Sequence, residues 1–178
     1  IITHMQALAF IFAAATTVTQ PLTTSTDKFN IQFSPRTPEQ IASFYIARGF
    51  PEDVVNILKQ QCFITIRIHN TGKEKLWLDL ANWKFTANGK PLHRDHRDVW
   101  KQRWSDMGLP LRFQSTFRWT LLPESLDYLP QEEEGGNIIL PRVEGPISLQ
   151  ASFITGNNKQ GPVINIEYDK LYCAEDPQ

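Results

Sequence analysis

A chain of 178 residues can bury one sizeable core without staples, so one domain with an N-terminal appendage is the expected organisation. Hydrophobic residues at 41%, with 11 Phe, 5 Trp and 4 Tyr among them, exclude wholesale disorder. A balance of 18 Lys plus Arg against 19 Asp plus Glu excludes a nucleic-acid binder that works through bulk positive charge.

The chain opens on an apolar run, Ala7 to Ala15. It is short of the roughly 20 residues a membrane span needs and has the length of a secretory h-region. Ala13 and Ala15 fit the small-x-small cleavage pattern, with Thr16 as the first mature residue. Residues 1–6 hold no Lys or Arg, so the basic flank of a signal peptide is missing. Residues 1–15 are read as a signal peptide, with a packed apolar helix or a retained membrane anchor as the alternatives. Residues 16–27, rich in Thr and Ser, read as a spacer, and 28–175 as a single β-sandwich domain. The expected location is periplasmic or secreted, and the apolar segment, if kept, brings the chain close to a membrane.

Phe29, Ile31 and Phe33 alternate in Lys28–Phe33, a strand that Pro35 should end. Thr37-Pro38-Glu39-Gln40 then carries an N-cap, a proline at the first helical position and a Gln three residues after the cap. Ile41, Phe44 and Tyr45 form the stripe of that helix, and Gly49 stops it. Pro51-Glu52-Asp53 starts a second short helix striped by Val54, Ile57 and Leu58. Two successive helices invite a helix-turn-helix reading, but Arg36, Arg48 and Lys59 are matched by Glu39, Glu52 and Asp53, leaving no basic face for phosphate. The pair is expected as a lid over one end of a sheet.

Cys62–Asn70 is a strand with Ile64, Ile66 and Ile68 inward. Leu76–Leu80 and Trp83–Ala87 follow, and Asn88-Gly89 is the strongest hairpin signal. Arg94–Met107 reads as a helix carrying Trp100 and Trp104 four residues apart. Leu111–Leu122 reads as a long strand with Phe113, Phe117 and Trp119 on one parity, and Glu132–Gly136 as an acidic loop. Asn137–Leu140, Ile147–Thr155 and Val163–Tyr172 complete the strands. About eight strands at the usual turn spacing predict an antiparallel, immunoglobulin-like β-sandwich with two short N-terminal helices and one inserted Trp-bearing helix.

Cys62 and Cys173 lie in no CxxC, which excludes a zinc ribbon or a thioredoxin-type site. Export would make a disulfide the default, but Cys173 has the parity of Asn165, Glu167 and Asp169, the wet face. A bond therefore requires a bulge or a strand end that turns Cys173 inward, and otherwise the two remain thiols.

No nucleophile elbow, P-loop, dinucleotide fingerprint, HExxH or EF-hand loop occurs, so the expectation is a non-enzymatic chain without cofactor. His93 and His96, three apart, with Asp98 or His69 form the one weak metal alternative. Arg94 and Arg97 oppose a cation there, and a helix start with an Arg94–Asp98 pair explains the same residues. The tryptophans are the unusual feature. Trp77 faces outward if Leu76, Leu78 and Leu80 are core. The candidate partner- or ligand-binding residues are Trp77, Trp83, Trp100, Trp104 and Arg97. The competing expectation makes these rings a secondary core, with Trp100 and Trp104 covering Trp77 and Trp83. The function expected is binding of another protein, as an accessory subunit or assembly factor of an envelope complex. Alternatives are a carbohydrate-binding module using exposed Trp, and a weak metal-binding or hydrolytic protein using His69, His93 and His96.

Overall fold

In a computed structural model, residues 21–177 are described, and the apolar run at 7–15 lies outside them. The architecture is mainly β: an antiparallel sandwich of two sheets with four α-helices. The first sheet has the order β1-β2-β3-β8, from Leu22–Ser25, Phe29–Arg36, Gln61–Asn70 and Glu133–Pro141. In the second, β9 (Ile147–Thr155) is the axis. One edge of β9 pairs β4 (Leu76–Asp79) and then β5 (Lys84–Ala87), and the other pairs β10 (Val163–Leu171). A 3-10 turn, Leu80–Asn82, joins β4 to β5, so 76–87 is one broken strand along β9. β6 (Lys90–Leu92) and β7 (Ser125–Tyr128) extend it outward. The immunoglobulin-like part of the expectation gains no support from this order, which sets β1, β2 and β3 side by side.

Alternation places Phe29, Ile31, Phe33, Ile64, Ile66 and Ile68 of the first sheet against Leu76, Leu78, Phe85, Leu149 and Phe153 of the second. The Phe29 and Phe153 rings meet across the sandwich at 4.7 Å. Pro35 does not end β2 as expected. β1 pairs only as far as Phe33, so beyond it β2 is an edge where a missing N–H is harmless. The stretch expected as a spacer supplies β1 itself.

The helices build a second core on the outer face of the first sheet. In α1 (Pro38–Ile46) both hydrogen bonds of the Thr37–Gln40 capping box form. With α2 (Glu52–Lys59), α3 (Arg97–Asp106) and α4 (Leu111–Thr120), it buries Tyr45, Leu58, Trp100, Trp104 and Phe117 against Phe63 and Ile139. The pair α1–α2 is thus part of a helical layer on a sheet face. Two expected elements change. The stretch expected as a strand over Leu111–Leu122 is a helix from Leu111 to Thr120, and Glu133–Gly136, expected as loop, begins β8. α3 starts at Arg97 with His96 as its N-cap.

Cys62 and Cys173 are bonded, with Cα atoms 5.1 Å apart. The parity obstacle is removed by a register shift between Tyr168 and Leu171. It turns Leu171 into the core, and Cys173, two residues on, toward Cys62. Arg142 holds the same tail, donating to the Ala174 carbonyl at 3.0 Å and the Glu175 carboxylate at 2.7 Å. The Glu39 N–H of α1 donates to Asp176 at 2.7 Å.

Candidate functional site

Pro110 precedes α4, so the helix begins immediately after it, and its 3.6-residue period sorts the side chains. Phe117 is buried and Phe113 half-buried against the helical core. Leu111 and Trp119 lie on the other side, 77% and 87% exposed. A nearly free indole on an ordered helix gains nothing from the fold, whereas a partner that covers it gains a large apolar area.

Trp119 overlooks a cleft of about 350 Å³ shared with Arg97, Arg118, Pro123 and Glu134. A smaller recess of about 110 Å³ between α3 and α4 is lined by Arg97, Lys101, Leu111 and Ser115. Arg97, Lys101 and Arg118 stand here against Asp98 and Glu134, a local positive excess in a chain of net charge -1. The Arg118 guanidinium reaches Asp98 at 3.3 Å, an exposed pair of little strength.

Arg97 is held at the centre. Its backbone N–H donates to Glu124 at 2.8 Å and its Nη2 to the Arg118 carbonyl at 2.6 Å. Its Nε is buried with no partner among the described residues. Burial, then the Arg118 charge, pulls the Arg97 pKa below its ordinary value. Glu124 anchors the α3 start. Arg94 forks onto its two oxygens at 3.0 and 2.5 Å. Burial alone would raise the Glu124 carboxyl, but the hydrogen bonds from Arg94 and Arg97, with the Arg94 charge, hold it below the usual carboxylate value. Arg94 therefore pairs with Glu124 and not, as expected, with Asp98.

The tryptophans named from the sequence fall elsewhere. Trp83 is in the sandwich core, 5.7 Å from the Phe153 ring. Trp100 and Trp104, 5.4 Å apart, pack with Phe117 in the helical core. They do not cover Trp77 or Trp83, because the two pairs lie in different layers. Trp77 is half-buried on the outer face of the second sheet, donating to the Gly156 carbonyl at 2.7 Å. Lys75 and Lys159 place their amines 5.2 and 4.7 Å from its ring centroid, so the chain's own cations engage the π-system a sugar would use. Of the five candidates, Arg97 alone belongs to the exposed surface described here. Trp119 was missed because its parity groups it with Phe113 and Phe117 in a strand; a helical reading of Leu111–Thr120 separates it from them.

The metal alternative is not assembled. His96 accepts from the Asp98 N–H at 3.1 Å as a cap, His93 lies 3.7 Å from Asp95, and His69 is on β3 of the first sheet, where its register partner is Glu133 of β8. No group of three His, Cys, Asp or Glu side chains suited to a metal occurs among the described residues.

No protein-family model matches the chain, and no curated protein matches it. Among solved structures, a candidate lipoprotein of Bacillus subtilis is similar with a TM-score of 0.43 and 12% identity. The match covers 83% of this chain and 38% of that one, so the chain spans well under half of its length.

Proposed function

We propose that the chain is an exported, non-enzymatic β-sandwich domain that binds another protein, and that the α3–α4 face around Trp119 is the docking surface. The observation that carries this is the 87% exposure of Trp119 beside Arg97 and Arg118, since Trp and Arg dominate interface energetics. The excess of cations selects a partner that presents an acidic surface with an apolar anchor. Export is supported by the Cys62–Cys173 bond, which persists in oxidising compartments. The non-enzymatic part is supported by how the polar groups are spent: Glu124 on Arg94 and Arg97, His96 on a helix cap.

A photoreactive amino acid at position 119, introduced in the native host, tests the surface. The expected result is one discrete protein adduct in the envelope or secreted fraction. It should be absent when the probe replaces Val163 on β10, and lost in Arg97→Glu/Arg118→Glu. Equal labelling at both positions, or none at 119, would sink the docking reading. Recovery of the unlabelled chain in the cytosol with free thiols would overturn export.

A further inference from the structure

A larger cleft, about 620 Å³, lies between α1 and the part of the first sheet that the helices leave uncovered. Its volume is in the range of roughly 300–1,000 Å³ typical of small-ligand sites. Ile41 and Phe44 of α1 form an apolar wall, and Arg36, Thr65 and Asn137, from three adjacent strands, form a polar floor.

The floor has a fixed polarity. Arg36 Nε donates to Thr65 Oγ1 at 2.8 Å. Thr65 must spend its single proton elsewhere, and it donates to Asn137 Oδ1 at 2.7 Å. Asn137 thus presents its carbonyl to Thr65 and leaves its Nδ2 amide free. Gln40 is oriented the same way, because its Oε1 accepts from the Thr37 N–H at 3.1 Å. The two terminal nitrogens of Arg36 have no partner among the described residues. Three sets of unspent donors therefore border one cleft.

We infer that this cleft binds a carboxylate, with the open end of the Arg36 guanidinium as the anchor and Asn137 Nδ2 beside it. A half-buried arginine without a counter-ion is costly, and the two terminal nitrogens match the two oxygens of a carboxylate. The four charged lining residues, Arg36 and Arg67 against Glu133 and Glu134, sum to zero, so an anion here is held by the open Arg36 fork and not by a net positive field. Arg67 is paired with Glu133 at 3.2 Å, and the remaining acid, Glu134, opposes a doubly charged phosphate. The ligand's apolar body lies along Ile41 and Phe44. Gly135 and Gly136 border the cleft because the backbone approaches closely there: a Cβ on Gly135 would collide with the Ile66 carbonyl, and one on Gly136 with the backbone of Leu121 and Leu122.

This goes beyond the docking surface on α4 and is tested separately. Calorimetry and 15N NMR with 4-phenylbutyrate are compared with 4-phenylbutanol, its neutral counterpart. Saturable binding of the acid alone is expected, with shifts at the Arg36 Nε and Asn137 side-chain signals. Arg36→Gln should weaken it by about tenfold or more. Asn137→Asp, which keeps the shape of the floor and adds a negative charge, should weaken it comparably, and so covers the case in which Arg36→Gln unfolds. A capped pentapeptide with one Asp between two Phe residues forms a second arm. Tighter binding of this peptide than of phenylbutyrate assigns the carboxylate to a protein segment, and the reverse assigns it to a free small molecule. Absence of binding by both acids at millimolar concentration, equal binding of the alcohol, or undiminished binding by folded Arg36→Gln and Asn137→Asp would each overturn the inference.

Discussion

The chain carries two hydrophobic cores built on different periods. Between the sheets, Ile64, Ile66, Ile68, Leu149 and Phe153 follow the two-residue period of strands. On the outer face of the first sheet, Tyr45, Leu58, Trp100, Trp104 and Phe117 come from four separate helices. The sheets are zipped by backbone ladders, whereas the helical layer rests on side-chain packing and a few polar ties. One tie joins α1 to α4. Thr120 gives its proton to the Phe117 carbonyl at 2.7 Å, so Tyr45 donates to Thr120 at 2.9 Å. Burial pushes that phenol up to about 12, keeping it a donor throughout the physiological range. The contrast teaches that this fold has a scaffold and an attachment, and that both proposed sites border the attachment.

The sharpest way to break the contrast is to empty each core in turn. Phe153→Ala and Trp104→Ala should each cost about 3–5 kcal/mol. Their patterns should differ. In hydrogen exchange, Phe153→Ala should open the whole molecule, while Trp104→Ala should open α1–α4 and leave the amides of β9 protected. Uniform opening in both variants would make the two cores one cooperative unit. Next in size is the bond between β3 and the tail. Reducing it, or replacing both cysteines with Ala, should cost about 2–4 kcal/mol in denaturant titration.

Glu124→Gln should cost about 1–2 kcal/mol at neutral pH, after allowing for solvent at a half-buried site. Because its carboxyl is depressed in the folded chain, its contribution is present above the ordinary carboxylate pKa of about 4.3 and is lost as the pH falls through the lower folded value. The gap between the native chain and Glu124→Gln should therefore close in thermal melts taken below about pH 4. Smallest for the fold is Trp119→Ala, expected within about 0.5 kcal/mol of the native stability. A larger destabilisation would mean that the ring packs on the fold in solution.

The sandwich was legible because alternation has few competing explanations over nine or ten residues, as in β3 and β9. The Thr37–Gln40 start and the Asn88-Gly89 hairpin were legible because each rests on local backbone chemistry; Asn88 and Gly89 have φ of 52° and 71°. The short β7 was not anticipated, since four residues carry too little pattern. The error in α4 is instructive. Phe113 and Phe117 are four apart, a spacing that keeps two side chains on one face of a strand and of a helix alike. Trp119 discriminates, joining them in a strand and swinging to the far side in a helix. One misjudged period thus turned the most exposed tryptophan into an apparent core residue and left only Arg97 of the named residues on the exposed face.

The pinned tail also determines how the domain bears load. A pull on Asp176 passes through the covalent Cys173–Cys62 link into β3, which is paired on both sides by β2 and β8. β10 is an edge strand, the element that would otherwise unzip first, and the load goes around it. Tension on the tail therefore reaches a strand held by two ladders before it reaches β10, and it takes that path only while one covalent bond is intact.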